Sequence, residues 1–249
     1  MISVVIIVKD GERHLAEVLA AVRSCAEVLV LDSGSTDRTL TIARAAGARI
    51  ESQAFLGFGA QKNRAVALAK HDWILSLDAD EVLDPTAQAA VAALDLSDPA
   101  RCWRLRRRTF VGACELRHGH LNDAPIRLFN RSVTRFSDSP VHESVQPCGE
   151  RSPDILAGAA LHYSFRDAAD LVQRGAAYAR VKAAVYRECG RSASAPVLVL
   201  RAVAAFLKSY VLKAGCRDGR LGVVSAMSAA ADAVTALAMA SEPTEKTAS

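Results

Sequence analysis

Aromatic residues are scarce in this sequence: Phe, Trp and Tyr together make up 5% of 249 residues. Proteins that bind single-stranded nucleic acid stack bases on aromatic side chains along a basic groove. With so few aromatics and a net charge of only +4, a nucleic-acid partner is not expected. An anionic small substrate or an anionic surface suits the mild positive balance better. Closely spaced cysteines are also lacking. Among Cys25, Cys102, Cys114, Cys148, Cys189 and Cys216 the nearest two stand 12 residues apart, which excludes a zinc knuckle or a dithiol pair. They read as reduced thiols, each a small buried hydrophobe.

Nucleotide fingerprints built on glycine are missing. There is no G-x-x-x-x-G-K-[ST], and Gly57-x-Gly59 is only a fragment of G-x-G-x-x-G, so kinase and dehydrogenase readings fall away. No basic stretch precedes the opening apolar run ISVVIIV, which stops at Lys9-Asp10 and is too short for a leader or a span. A cytoplasmic protein is therefore expected. Leu221 to Ala240 is long enough to cross a membrane, but Asp232 at its middle and an Ala, Ser and Thr composition favour a packed or interfacial helix. No internal repeat is present.

What is present is a globular composition, 51% hydrophobic and 23% charged. Strand and helix patterns alternate in the first half. Strands are expected at Ser3 to Val8, Glu27 to Leu31, Arg49 to Glu51 and Trp73 to Leu77. Helices are expected at His14 to Cys25, Thr36 or Asp37 to Ala46, Gln61 to Ala69 and Pro85 to Leu94. Such alternation gives a parallel sheet flanked by helices. Strands at 102–111 and 126–136 follow. Helices at Leu171 to Glu188, Ala195 to Leu212 and Leu221 to Ala240 then form a C-terminal annex. The expected division is a catalytic domain over 1–165, the annex over 166–240 and a polar tail over 241–249.

Open parallel sheets bind ligands at the carboxyl ends of their strands. Three apolar strands here stop abruptly in acidic or small polar residues: Val8-Lys9-Asp10-Gly11, Asp32-Ser33-Gly34-Ser35-Thr36-Asp37 and Asp78-Ala79-Asp80-Glu81. Asp37 alone reads rather as a helix cap. In an extended Asp78-Ala79-Asp80 the two carboxylates face the same way and repel. A divalent cation, Mg²⁺ or Mn²⁺, relieves that repulsion, and such ions are completed by substrate phosphates. A nucleoside diphosphate is the co-ligand this implies.

Four segments, ISVVIIVKDGE, VLVLDSGSTDRT, GFGAQKNRAVALA and WILSLDADEVL, resemble in order and spacing the family-2 glycosyltransferases of the GT-A fold. The segments RLFNR (127–131), VHESV (141–145), LHYSF (161–165) and YVLKAGCRDGRLG (210–222) are similar to a bacterial subgroup that adds β-glucose to heptose in the lipopolysaccharide core. The resemblance implies an α/β GT-A fold and an inverting, metal-assisted transfer from a UDP-sugar. The implied acceptor is a lipid-linked saccharide at the cytoplasmic face of the inner membrane. It places Val8, Asp10, Asp32, Ser33, Lys62, Asn63, Asp78 and Ala79 around the donor, with Asp32 and Ser33 facing the uridine and Asp78 the ribose. Asp80 is the implied metal ligand, joined by His162 unless that histidine is structural. Glu143 is the implied general base and His142 its competitor. Asp123 and Arg127 fall in the acceptor segment.

Arg104, Arg106 and Arg108 recur on one strand face with Arg107 opposite. They read either as a solvated edge or as a basic wall for a phosphorylated acceptor, with Arg106 its contact. Arg201, Lys208, Lys213, Arg217 and Arg220 lie among apolar residues of the annex, which suits either an anionic leaflet or plain packing. Two rivals are weaker. A sugar nucleotidyltransferase needs a glycine-rich basic loop after the first strand, and an inactive carbohydrate- or membrane-binding relative does not need Asp78, Asp80 and Glu143.

Overall fold

The computed structural model describes residues 1–137, 144–146 and 152–242. Its centre is a mixed sheet. Strand β1 (Ile2–Val8) pairs in parallel with β2 (Glu27–Asp32) and β4 (Trp73–Asp78), and β3 (Arg49–Ser52) adds to β2 in parallel. Beyond β4 the sheet continues antiparallel. Strand β5 (Glu81–Leu83) follows β4 in the chain, and β6 (Trp103–Val111), β7 (Cys114–Leu116), β8 (Ile126–Asn130) and β9 (Asp154–Phe165) come later. The spatial order is β3-β2-β1-β4-β8-β6-β9-β5, with β7 on β6.

β1 carries no internal polar residue after Ser3 because both of its faces are covered. Val4, Ile6 and Val8 enter one core with Leu15 and Val18 of α1 (Leu15–Ala21), Ala43 of α2 (Thr39–Ala45) and Val91 of α4 (Pro85–Ala92). Val5 enters the other with Ala65 and Val66 of α3 (Phe58–Leu68), Ile74 and Phe129. A fully buried Leu or Ile in such a core contributes about 1.5–3 kcal/mol. The sheet is thus held from both sides, and its carboxyl edge is left to loops.

Several boundaries differ from expectation for local reasons. Helix α3 starts at Phe58 instead of Gln61, because Gly57 takes a left-handed φ of 95° and ends the preceding loop there. Helix α2 starts at Thr39, since the Asp37 carboxylate accepts from the Thr39 and Glu12 amides and holds Asp37 outside the helix. Strands β5, β7 and β9 were not anticipated. The sequence of β9, DILAGAALHYSF, is Ala- and Gly-rich and lacks the β-branched signal. Its Gly158 has φ +83°, and a Cβ there would come within 2.3 Å of the Ala87 amide nitrogen. Glycine thereby lets β9 pass the start of α4, where Asp84 caps the helix at 2.7 Å through the same amide. The cysteines differ too: Cys102 is buried, Cys25 is partly so, and Cys114, Cys189 and Cys216 are exposed free thiols.

The chain forms two compact units, Met1–Thr109 with Asp123–Ser164, and Phe110–Asn122 with Phe165–Ser249. The second contains α5 (Ala168–Glu188), α6 (Ala195–Leu207) with a π-turn Lys208–Leu212, a 3₁₀ turn Gly215–Asp218, and α7 (Gly219–Ser241). Residues 110–122, read from sequence as part of the catalytic domain, pack instead with the helices. Val111, Leu116 and Leu121 meet Leu171, Leu221 and Val224.

Candidate active site

The three acidic strand ends lie on one edge of the sheet and are fastened to one another. The Val8 carbonyl accepts from Ser33 N at 2.9 Å. Asp10 adopts a left-handed φ of 51°, which Asp tolerates better than most residues. In that conformation its carboxylate accepts from Thr36 N at 2.8 Å while its own amide donates to Ser35 Oγ at 2.9 Å. Gly11 sits where a Cβ would approach Val8 Cγ2 to 2.6 Å and Ala79 Cβ to 3.3 Å. The loops after β1, β2 and β4 can converge this closely only with glycine at that position.

Asp32 is buried, and its carboxylate gathers the amides of Gly34 (2.9 Å) and Ser35 (3.1 Å), an Asx turn that shapes the loop. Ser33 Oγ accepts from Gln61 Nε2 at 3.0 Å. Gln61 is fully buried and also ties the 53–56 segment to α3 through Gln53 O and Leu56 N. Asn63 spends its amide differently from the expected donor contact. It donates to Phe136 O and accepts from Phe136 N, both at 3.0 Å. Phe136 bridges to Val145, and Ser137 N donates to Ser144 O. Asn63 therefore anchors one end, at Phe136, of the segment that carries His142 and Glu143, residues that themselves lie outside those described.

The Asp78-x-Asp80 pair is not the extended, side-by-side pair expected. β4 ends at Asp78, the chain turns at Ala79–Asp80, and β5 leaves to pair with β9. The turn gives the two carboxylates different partners. Asp78 is clamped by Lys62 Nζ at 3.1 Å and Arg127 Nη2 at 2.7 Å. Burial pushes its carboxyl pKa up, but Arg127, Lys62 and His162 outweigh burial and hold it well below the usual carboxylate range. Asp80 instead faces His162, with 3.6 Å between Oδ1 and Nε2. The register opposes Glu81 to His162, and Tyr163 N donates to the Asp80 carbonyl at 2.9 Å.

The clamp extends inward. Arg127, expected at the acceptor, is only 4% exposed and reaches from Asp78 to the fully buried Glu81, which also accepts from the Asp78 amide at 3.1 Å. Burial alone would lower the guanidinium pKa of Arg127; Asp78 and Glu81 raise it. Its Nε is buried with no hydrogen-bond partner. Arg107 lies 3.5 Å from Glu81 and forms two short bonds to Asp123, at 2.5 and 2.6 Å. Three cations and three carboxylates thus balance in one chain of contacts. The inward arginine of β6 is Arg107. Arg106 and Arg108 are exposed, and Arg104 donates to Ala124 O at 3.0 Å.

Sequence reasoning missed Glu81, Arg107, Gln61 and His14. The His14 ring stacks on Tyr163 at 4.6 Å and 16°. Its Nε2 is buried without a partner, and burial followed by Arg13 lowers its pKa. Glu81 had a signal, an acid at the head of the E-V-L triplet, in which Glu81 and Leu83 are buried. His14 had none.

Ligands of open α/β sheets bind outside the carboxyl ends of the strands, and the edge assembled here presents carboxylates balanced by buried cations, together with an Asp–His pair. The class this defines, taken with the relatives below, is a glycosyltransferase. The chain belongs to glycosyl transferase family 2, whose family model matches residues 3–139. It is 27% identical over 237 residues to the lipopolysaccharide core biosynthesis glycosyltransferase LpsC of Rhizobium meliloti, covering 92% of this chain and 87% of that one. An uncharacterized glycosyltransferase of Rickettsia bellii is 29% identical over 246 residues, covering 91% and 81%. Among solved structures, glucosyl-3-phosphoglycerate synthase from Mycobacterium tuberculosis, in complex with Mn²⁺, UDP and glucosyl-3-phosphoglycerate, aligns with a TM-score of 0.49 at 18% identity over 78% of this chain and 81% of that one.

Proposed function

We propose that this glycosyltransferase moves a hexose, glucose in the first instance, from a UDP-sugar to a lipopolysaccharide inner-core saccharide at the cytoplasmic face of the inner membrane, with inversion at the anomeric carbon. The observation that carries the donor half is the division of labour between Asp78, fixed as a carboxylate by Lys62 and Arg127, and Asp80, left facing His162. The likeness to LpsC over nearly the whole chain supports the acceptor half.

Asp32, Ser33 and the loop at Asp10 form the nucleoside end of the site, and Asp78 is positioned for ribose hydroxyls. Asp80 and His162 would hold a divalent cation, one carboxylate and one imidazole, a donor set that suits Mn²⁺ better than Mg²⁺. No group of three His, Cys, Asp or Glu side chains fit to hold a metal occurs among the described residues, and substrate phosphates would complete such an ion. When bound, the cation supplies charge to offset that of the leaving diphosphate. Glu143 takes the proton of the acceptor hydroxyl as its oxygen attacks C1 and the bond to UDP breaks.

The test is UDP release by purified protein given UDP-glucose, Mn²⁺ and core saccharide from a mutant strain lacking this enzyme, with mass spectrometry of the product. Asp80→Ala and Glu143→Ala are each expected to lower turnover by about 10²-fold or more. Full turnover by both variants sinks the mechanism, and transfer from UDP-galactose or UDP-N-acetylglucosamine in preference to UDP-glucose corrects the donor.

A further inference from the structure

Helix α6 and its π-turn are the least covered apolar elements of the helical unit. The segment Ala195–Leu212 has mean hydropathy 1.7 and is only 6% buried, and no residue of α6 itself is buried. Leu200, Val203, Leu207 and Val211 follow one another at three- and four-residue spacing and are all exposed, Leu200 at 69%, so they form a continuous outward stripe. Arg201 and Lys208, also exposed, stand at the stripe's flank, one residue on from Leu200 and from Leu207. From Arg191 to Arg217 the chain contains five cations and no carboxylate. At the start of α6, a hollow of ≈ 470 Å³ is lined by Arg191, Arg201, Tyr186, Ser192, Val197 and Leu237, with the Arg191 guanidinium over the Tyr186 ring at 5.4 Å.

We infer that α6 and its π-turn lie flat in the headgroup layer of an anionic bilayer, with the apolar stripe in the acyl boundary and a phospholipid phosphate between Arg191 and Arg201. An apolar face bordered by cations is the pattern of an interfacial helix, and guanidinium forks match phosphate. Spanning fits less well, because Arg201 and Lys208 would then sit within the hydrocarbon. A second copy fits less well too, because a two-fold contact through this stripe brings these cations toward their own copies with no carboxylate to meet them. Helix α7, of similar hydropathy, packs on both α5 and α6 and is more buried than α6. This assignment gives the proposed membrane location its surface and rests on that part of the proposal.

The test is flotation of the full chain with phosphatidylcholine vesicles and with equimolar phosphatidylcholine–phosphatidylglycerol vesicles, without any sugar present. Preferential binding to the anionic vesicles, weakened by salt, is expected. Leu200→Gln/Leu207→Gln and Arg201→Gln/Lys208→Gln should each weaken it about tenfold or more. Both pairs are exposed, so folding is checked by circular dichroism alongside. Both variants should keep wild-type UDP release on a delipidated, water-soluble core saccharide. Loss of that activity in the wild type speaks against the enzymatic reading and leaves the flotation result standing by itself. Equal binding to neutral vesicles, no binding at all, or a self-associated chain whose assembly the Leu variant breaks each overturns the membrane surface.

Discussion

Removing one member of a buried charge chain exposes what the others were compensating. Arg127 and Glu81 are 4% and 0% exposed, so Glu81→Gln or Arg127→Met leaves a charge uncompensated and is expected to cost about 3–5 kcal/mol. Urea titration reads this directly; a loss below about 1 kcal/mol, the scale of an exposed pair, would show that the clamp is solvated. The Asp78 carboxyl makes the pH sign definite. Its folded pKa lies below the ordinary value of 3.8, so its stabilisation is complete above that value and is lost as pH falls further through the folded pKa. Stability measured from pH 7 down to about 5 should therefore be insensitive to Asp78→Asn apart from a constant offset, with the difference shrinking only in stronger acid. At this scale the acidic strand ends were legible, because an acid ending an apolar strand is conspicuous in sequence. Which cation meets which acid was not. Arg127 and Lys62 are 65 positions apart, and Arg107 differs from Arg106 only by which face of β6 it occupies.

Elements place these residues, and two local devices set the elements. Gly158 lets β9 cross the start of α4, and β9 in turn carries His162 to Asp80. Gly158→Ala combines a left-handed φ of +83° with a contact of 2.3 Å to backbone and is expected to cost about 2 kcal/mol or more, seen as a lowered Tm. An unchanged Tm would mean that β9 shifts freely. Asn63 ties α3 to Phe136 by two bonds. Asn63→Ala leaves a backbone amide and carbonyl without partners, costing about 1–3 kcal/mol, and should lower kcat more than it weakens UDP binding measured by calorimetry. A matching loss of UDP affinity would return Asn63 to the donor site. The parallel strands were readable because double burial writes itself as an unbroken apolar run. β9 was not, since its pairing depends on small residues and on long-range partners.

At the scale of the whole molecule the two units carry different titrations and different reporters. His120 lies in the helical unit against Ser209 and Ser225, and burial, with Lys213 and Lys182, lowers its pKa to about 4. A histidine held neutral in the fold binds its proton more readily when unfolded, so its stabilisation is full above about 6.5 and drains away as pH falls toward about 4. Trp73 and Trp103 both belong to the other unit. Between pH 6.5 and 4 the helical circular dichroism should therefore lose thermal stability sooner than tryptophan fluorescence does, with a slope of up to about 1.4 kcal/mol per pH unit. His120→Gln should flatten that limb. Coincident acid shifts of both signals in wild type and variant would refute the assignment.

The sequence by itself determined the strand–helix alternation, the acidic carboxyl edge, the family and the cation-rich, acid-free stretch through α6. Each of these is written in neighbouring residues, as a run, a spacing or a composition. Only the tertiary structure decided that Asp78 and Asp80 part company, that Arg127 is a buried clamp, that residues 110–122 pack with the helices, and that α6 stays uncovered while α7 packs against both α5 and α6. Those outcomes depend on which distant chain segments meet, and pairing between segments far apart in sequence leaves no periodicity to read.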